Sequence, residues 1–345
     1  MNSEDRLLEL DALRGLAALA VVIFHYTTRY NELYGYENKL SFELAYGHYG
    51  VQLFFIISGF VIFMTVQYIP TLKDFILKRA FRLYPAYVIA VVITFLIIKI
   101  FGLPGREVSN IEALANLTMF QGFIGIPHVD GAYWSLQIEL TFYLLVGFVI
   151  FLGLSNKYLM LSYIWLTASI FTKVLSFYSD GIVVKILEHL LISNYSHLFI
   201  LGIIFYAFRS SLKTDFNHYV IFLICIFYEI IFFSTVNNLF TISFVLIFVL
   251  LINNKLTFLR FKPLVYLGTI SYSLYVIHQN IGYVILNFLN SNNMSNEFFL
   301  VIPLIISIFL ATFITYFIEK PLLKFLNNKY FKRSLKNASK GKMIV

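Results

Sequence analysis

Leu13-Arg14-Gly15-Leu16-Ala17-Ala18-Leu19-Ala20-Val21-Val22-Ile23-Phe24-His25 is an apolar run closed by an arginine at one end and a histidine at the other. With its neighbours it makes a stretch of about 8–28, inside the range of roughly 17–25 residues that lets a helix cross the hydrocarbon core. The whole chain repeats this character. It is 59% hydrophobic and only 13% charged, with a mean hydropathy of +0.80, where a soluble domain carries about 25% charge. Lipid is therefore the expected solvent, and the predicted fold is all-α, a polytopic transmembrane helical bundle of about ten spans. The spans read as 8–28, 49–68, 83–101, 134–154, 158–176, 187–208, 218–235, 238–253, 264–288 and 298–318. In the sixth, Asn194-Tyr195-Ser196-His197 interrupts the apolar run and predicts a break or re-entrant turn.

Lysine and arginine set the orientation. With both termini on one side, that side collects 20 of the 26 basic residues and the other collects 6. Both termini are expected in the cytoplasm, with the longest outer loop at about 102–133. The net charge of +8 is then a matter of topology and membrane lipid contact, and nucleic acid is not an expected partner. The first eleven residues hold Glu4, Asp5, Glu9 and Asp11 against Arg6. A secretory leader begins positive, so the first span is expected to stay in the mature protein. One cysteine, Cys225, allows no intrachain disulfide. No P-loop, paired-cysteine spacing, HExxH or nucleophile elbow occurs, and no metal site is predicted.

Titratable side chains at membrane depth are costly and point to function. With 1.5 Å of rise per residue, Arg14 lies about 6 Å above the inner boundary and His25 about 22 Å above it. Glu139, counted down from Trp134, and His278, counted up from Leu264, fall at about 21–22 Å as well. A histidine there suits proton transfer, and a carboxylate beside it would fix its tautomer. The bland alternative is interhelical hydrogen bonding. On the inner side Arg79 and Arg82 share a helix face and offer forks for phosphate, although the positive-inside bias alone would also put arginines there. Gly59, after Ser58, predicts close helix packing through small residues.

In order along the chain stand Leu10-Asp11-Ala12-Leu13-Arg14-Gly15 with His25, Gly50-Val51-Gln52-Leu53-Phe54-Phe55 with Ser58-Gly59-Phe60, Arg79 and Arg82 with Leu83-Tyr84-Pro85, Tyr133-Trp134-Ser135-Leu136-Gln137-Ile138-Glu139, Ser271-Tyr272-Ser273-Leu274-Tyr275 with His278, and Glu319-Lys320-Pro321. This series resembles the acyltransferase-3 family of bacterial integral membrane acyltransferases. Gln52 departs from the pattern, because family members often carry an acid there, and the hydrolase-type outer domain of some relatives has no counterpart here. The resemblance implies a transmembrane acyltransferase domain over 1–321, a basic cytoplasmic tail over 322–345, and a place in the bacterial inner membrane. It further implies an O-acyltransferase that moves an acyl group from cytoplasmic acyl-CoA, usually acetyl-CoA, to a hydroxyl of a cell-surface or lipid-linked glycan. His25, Glu139 and His278 are then the catalytic candidates, and Arg14, Arg79 and Arg82 the CoA-binding ones. Arg14 and His25 are about 16–17 Å apart along one helix, about the reach of an extended pantetheine arm. A proton-coupled secondary transporter or flippase is the rival reading; its inverted repeat is not visible, and hydrolysis of a CoA thioester by purified protein would separate the two.

The orientation has a direct check. A tag at Val345 is expected to be silent to an impermeant reagent in intact cells and reactive once the cells are opened; reactivity in intact cells would overturn the cytoplasmic assignment.

Overall fold

A computed structural model describes residues 7–341 except 39, 70, 211, 293, 295 and 296, with side chains described as far as 330. Arg6, Lys39 and the last residues of the tail, Val345 included, lie outside the described residues. All regular structure among the described residues is helical. The main helices are α1 (Leu8–Phe24), α2 (Tyr30–Tyr34), α3 (Gly50–Val66), α4 (Leu72–Phe101), α5 (Asn110–Asn116), α6 (Trp134–Phe151), α7 (Tyr158–Tyr178), α8 (Ile182–Leu190), α9 (Ser196–Arg209), α10 (Phe216–Phe232), α11 (Thr235–Ile252), α12 (Lys262–Ser291), α13 (Val301–Phe313) and α14 (Lys320–Gly341). Lipid offers the backbone no hydrogen bonds, so helices that satisfy themselves are what this composition permits.

Among the described residues six helical stretches are long and apolar enough to cross a membrane: Gly47–Val66, Leu72–Phe101, Gly131–Phe151, Ser155–Tyr178, Thr235–Ile252 and Glu297–Tyr330. Two shorter apolar helices, Ser196–Arg209 and Phe216–Phe232, stand beside them. The count of about ten is thus not reached on length and apolarity. The stretches expected at 8–28 and 264–288 form as α1 and α12, but Glu9, Asp11 and Arg14 in the first and Gln279 and Asn280 in the second dilute their apolar character. The break expected in the sixth span is present. Helix α8 ends at Leu190, Ile192 takes a left-handed φ of 53°, and α9 starts afresh at Ser196. Past the boundary expected at 321, the helix carries on to Gly341.

The chain divides into two compact units. The first holds residues 1–33, 42–75 and 134–271; the second holds 34–41, 76–133 and 272–345. In the first, α3 and α9 cross at two glycines. A Cβ on Gly59 would sit 2.1 Å from the Phe199 carbonyl oxygen, and one on Gly202 would sit 2.1 Å from that of Ile56. Helix α1 meets the start of α12 the same way, since a Cβ on Gly15 would lie 2.5 Å from the Gly268 nitrogen. Small residues bring backbones close where dispersion must replace the hydrophobic effect. In the second unit the segment 102–133 is ordered. Ser109 and Glu112 form a capping box at α5, the pattern expected of a Ser three residues before a Glu. Asp130 is fully buried and accepts the backbone N–H groups of Asn280 and Ala132, each at 2.9 Å. Burial pushes its carboxyl up to about 6, against the pull of those two hydrogen bonds and of Arg106.

The glycine crossing has a measurable consequence. Gly59→Ala or Gly202→Ala is expected to cost about 1–3 kcal/mol or more, because a carbonyl oxygen on a packed helix cannot retreat. Gly181→Ala, which meets nothing but the Ser179 hydroxyl at 3.1 Å, should leave the thermal transition in detergent unmoved. Equal transitions for all three variants would contradict the crossing.

Candidate functional site

Helix α1 places Arg14 and His25 on one rigid rod of the first unit. Arg14 is half-buried, and among the described residues no carboxylate pairs with it. Its neighbour Gly15 packs against Gly268, which fixes the backbone that carries the guanidinium. The acid at this end, Glu9, is buried and committed to Arg260 at 2.8 Å. An arginine left over from such pairing, inside an apolar stretch, suits an anionic ligand.

His25 stands at the point where the helix changes pitch. The segment His25–Arg29 is a π-turn, a feature that often marks functional positions. Side chains serve carbonyls on its inner side. Thr27 Oγ1 donates to the Ile23 carbonyl at 2.7 Å and accepts the Leu44 N–H at 3.2 Å. His25 Nδ1 lies 2.9 Å from the Val21 carbonyl oxygen. A carbonyl can only accept, so Nδ1 must carry the proton, and in the neutral ring Nε2 keeps its lone pair. The ring is half-buried, and its Nε2 can act as a base.

Glu139, on α6, does not hold this histidine. Its hydrogen bonds come from Ser58 Oγ at 3.1 Å and from the Tyr143 hydroxyl, and not from His25. The carboxylate expected beside His25 as its orienting partner is replaced in that role by a backbone carbonyl. A cavity of about 290 Å³ among α3, α6, α7 and α9 is lined by apolar side chains such as Phe63, Phe142 and Trp165 and contains none of the candidates. Gln52 Oε1 faces the Thr241 hydroxyl at 3.5 Å.

The second unit holds His278, Arg79 and Arg82. His278 repeats the His25 arrangement, with Nδ1 at 2.8 Å from the Tyr275 carbonyl and 3.2 Å from that of Leu274, but it is fully buried. Its place in α12 is fixed by Tyr133, whose hydroxyl donates to the Val276 carbonyl at 3.1 Å, and by Tyr275, which donates to the Ala132 carbonyl at 3.2 Å. Arg82 is engaged by Glu319, lies over the Tyr272 ring at 5.5 Å, and is 28% exposed against 3% for Glu319. Ser273 Oγ donates to the same carboxylate at 3.2 Å. The Glu319-Lys320-Pro321 motif therefore supplies the counter-ion of Arg82, a partnership across 237 residues that spacing alone does not reveal. One Arg82 fork is spent on this pair, whereas Arg14 has no such partner among the described residues.

Nodulation protein 10 of Rhizobium leguminosarum bv. viciae is 30% identical over 125 residues, covering 30% of this chain and 33% of its own. The peptidoglycan O-acetyltransferase OatA of Listeria monocytogenes is 29% identical over 156 residues, 39% of this chain and 23% of its own. The chain thus spans about a third or less of the length of these relatives. No solved structure matches. The acyltransferase domain of the acyltransferase-3 family matches residues 7–318, which take in α1 with Arg14 and His25, both arginines of α4, and α12 with His278, and the chain belongs to that family.

Proposed function

We propose that this chain is a multi-pass O-acetyltransferase of the bacterial inner membrane, which takes an acetyl group from cytoplasmic acetyl-CoA and delivers it to a hydroxyl of a cell-surface or lipid-linked glycan. The observation that carries the reading is the pairing, on one continuous helical rod, of an arginine with no carboxylate partner among the described residues and a histidine whose Nδ1 proton is held by the Val21 carbonyl. Both termini lie in the cytoplasm by the bias of basic residues. Arg14 then sits at the inner end, where its guanidinium would hold the phosphates of CoA.

In the proposed reaction His25 Nε2 takes the proton of the acceptor hydroxyl as the oxygen bonds to the thioester carbonyl. The C–S bond breaks as the carbonyl re-forms, and the proton passes from His25 to the leaving thiolate. The products are the glycan ester and CoA thiol. The Val21 carbonyl accepts from Nδ1 throughout and favours the transient imidazolium, which is the service an aspartate gives in a Ser-His-Asp triad. Holding donor and base on one rod lowers the entropy cost of the encounter. Glu139 fixes the Ser58–Tyr143 side of the first unit, and His278, fully buried, is held by the Tyr275 and Leu274 carbonyls within the second.

His25→Gln is expected to remain folded, to bind acetyl-CoA as wild type does, and to lose transfer by about 10²–10⁴, the range for a missing general base. Transfer within about threefold of wild type would end the assignment. Arg14→Ala should weaken acetyl-CoA binding by at least about tenfold, since charge-assisted contacts contribute about 1.5–3 kcal/mol; unchanged affinity by calorimetry would remove it from the donor site. Arg82→Ala is a poor probe, because it leaves Glu319 buried without its counter-ion and lowers stability as well.

A further inference from the structure

Outside the candidate site the first unit buries a second pair of ionisable groups. His197, in the first turn of α9, is 1% exposed, and Glu229, in the last turn of α10, is 3% exposed. His197 Nε2 lies 2.5 Å from Glu229 Oε2. The other carboxylate oxygen accepts from Thr241 Oγ1 of α11 at 3.0 Å. Ionisable side chains at this burial in a membrane protein are rare and mark proton or ion paths.

The far nitrogen is what separates this histidine from the other two. His25 and His278 each tie Nδ1 to a backbone carbonyl, which locks one tautomer. His197 Nδ1 is buried with no hydrogen-bond partner among the described residues. Ser193 Oγ and Ser196 Oγ, which precede it in the turn that enters α9, are buried and unpartnered among the described residues too, as is Asn238 Oδ1, one turn before Thr241. Whether the pair is carboxylate and neutral imidazole, carboxylate and imidazolium, or carboxylic acid and imidazole, Nδ1 needs a partner in every state. Its required role changes between donor and acceptor. A carbonyl cannot follow that change, but water can donate or accept. A polar, buried place with several unmet groups is where internal water is found.

We infer that His197 and Glu229 form a hydrated proton-binding site, whose ligands are one exchangeable proton shared across Nε2 and Oε2 and internal water held at Nδ1 by the Ser193 and Ser196 hydroxyls. A proton enters the imidazole at one nitrogen and leaves at the other, which a locked tautomer forbids. Tyr228 and Phe233 wall the ring, at 5.1 and 5.3 Å between centroids. The ionisable groups that interact with Glu229 are Tyr228 of α10 and Tyr49 ahead of α3; Cys225 of α10 and Glu188, bridged to Lys173, interact in turn with Tyr228. The site stands independently of the role given to His25.

Two measurements on the full chain in lipid nanodiscs test it. In hydroxyl-radical footprinting, internal water should oxidise Tyr228, 2% exposed, several-fold faster than Tyr87, 0% exposed with its hydroxyl at the Gln121 side chain. In infrared spectra recorded in H₂O and in D₂O, a carboxyl band of the hydrogen-bonded pair should shift on exchange, and it should vanish in Glu229→Gln and change in His197→Gln. A Tyr228 oxidised no faster than Tyr87 would show a dry structural pair and overturn the proposal. So would an exchange-sensitive carboxyl band that persists unchanged in Glu229→Gln. If that variant does not fold, the footprinting of the wild-type chain decides alone.

Discussion

A histidine in a hydrocarbon environment has few partners, and the cheapest is the carbonyl one helical turn behind it. That constraint sets the hydrogen bonding of three of this protein's histidines. At His25 the bond to Val21 commits Nδ1, so that in the neutral ring the lone pair is on Nε2. At His278 the same bond is made twice over, to Tyr275 and Leu274, in full burial. At His197 it is not made, and the ring faces a carboxylate instead. Three imidazoles of ordinary intrinsic basicity are thereby given three different capacities by where Nδ1 points, before any substrate arrives.

The frame that holds these rings is set by close helix crossings. Gly59 and Gly202 let α3 and α9 touch backbone to backbone, and Gly15 does the same for α1 against Gly268. A crossing without a Cβ between the chains has little room to slide, so the residue next to it is held in place. Arg14 is next to Gly15 and Ser58 is next to Gly59. Ser58 is the group that donates to Glu139.

Much of this was legible in the residues themselves. Arg14 and His25 stand out because the run between them is apolar. Gly59 reads as a packing position, and Asn194-Tyr195-Ser196-His197 as an interruption of a span. Glu229 was just as visible, a lone carboxylate in Phe227-Tyr228-Glu229-Ile230, and the rule that singled out Glu139 applies to it equally. Other features carry no local signature. The π-turn at His25 depends on how the chain meets Leu44. The Asp130–Asn280 bond and the Arg82–Glu319 pair join residues 150 and 237 apart. The expectation that a carboxylate orients His25 came from soluble triads, where water leaves few carbonyls free; in a helix within lipid a carbonyl is always at hand. The count of about ten spans is not reached by length and apolarity among the described residues, since α1 and α12 carry polar and charged groups that dilute their apolar character.

The central proposal is that the helix from Arg14 to His25 spans the donor from its phosphates to its thioester. Its most direct test is a cryo-electron microscopy structure of the protein bound to a non-hydrolysable acetyl-CoA analogue. The account predicts a phosphate within hydrogen-bond distance of the Arg14 guanidinium, with the acyl carbonyl carbon reaching the Nε2 side of His25. An analogue bound with its phosphates away from Arg14, or its acyl group out of reach of His25, would contradict it.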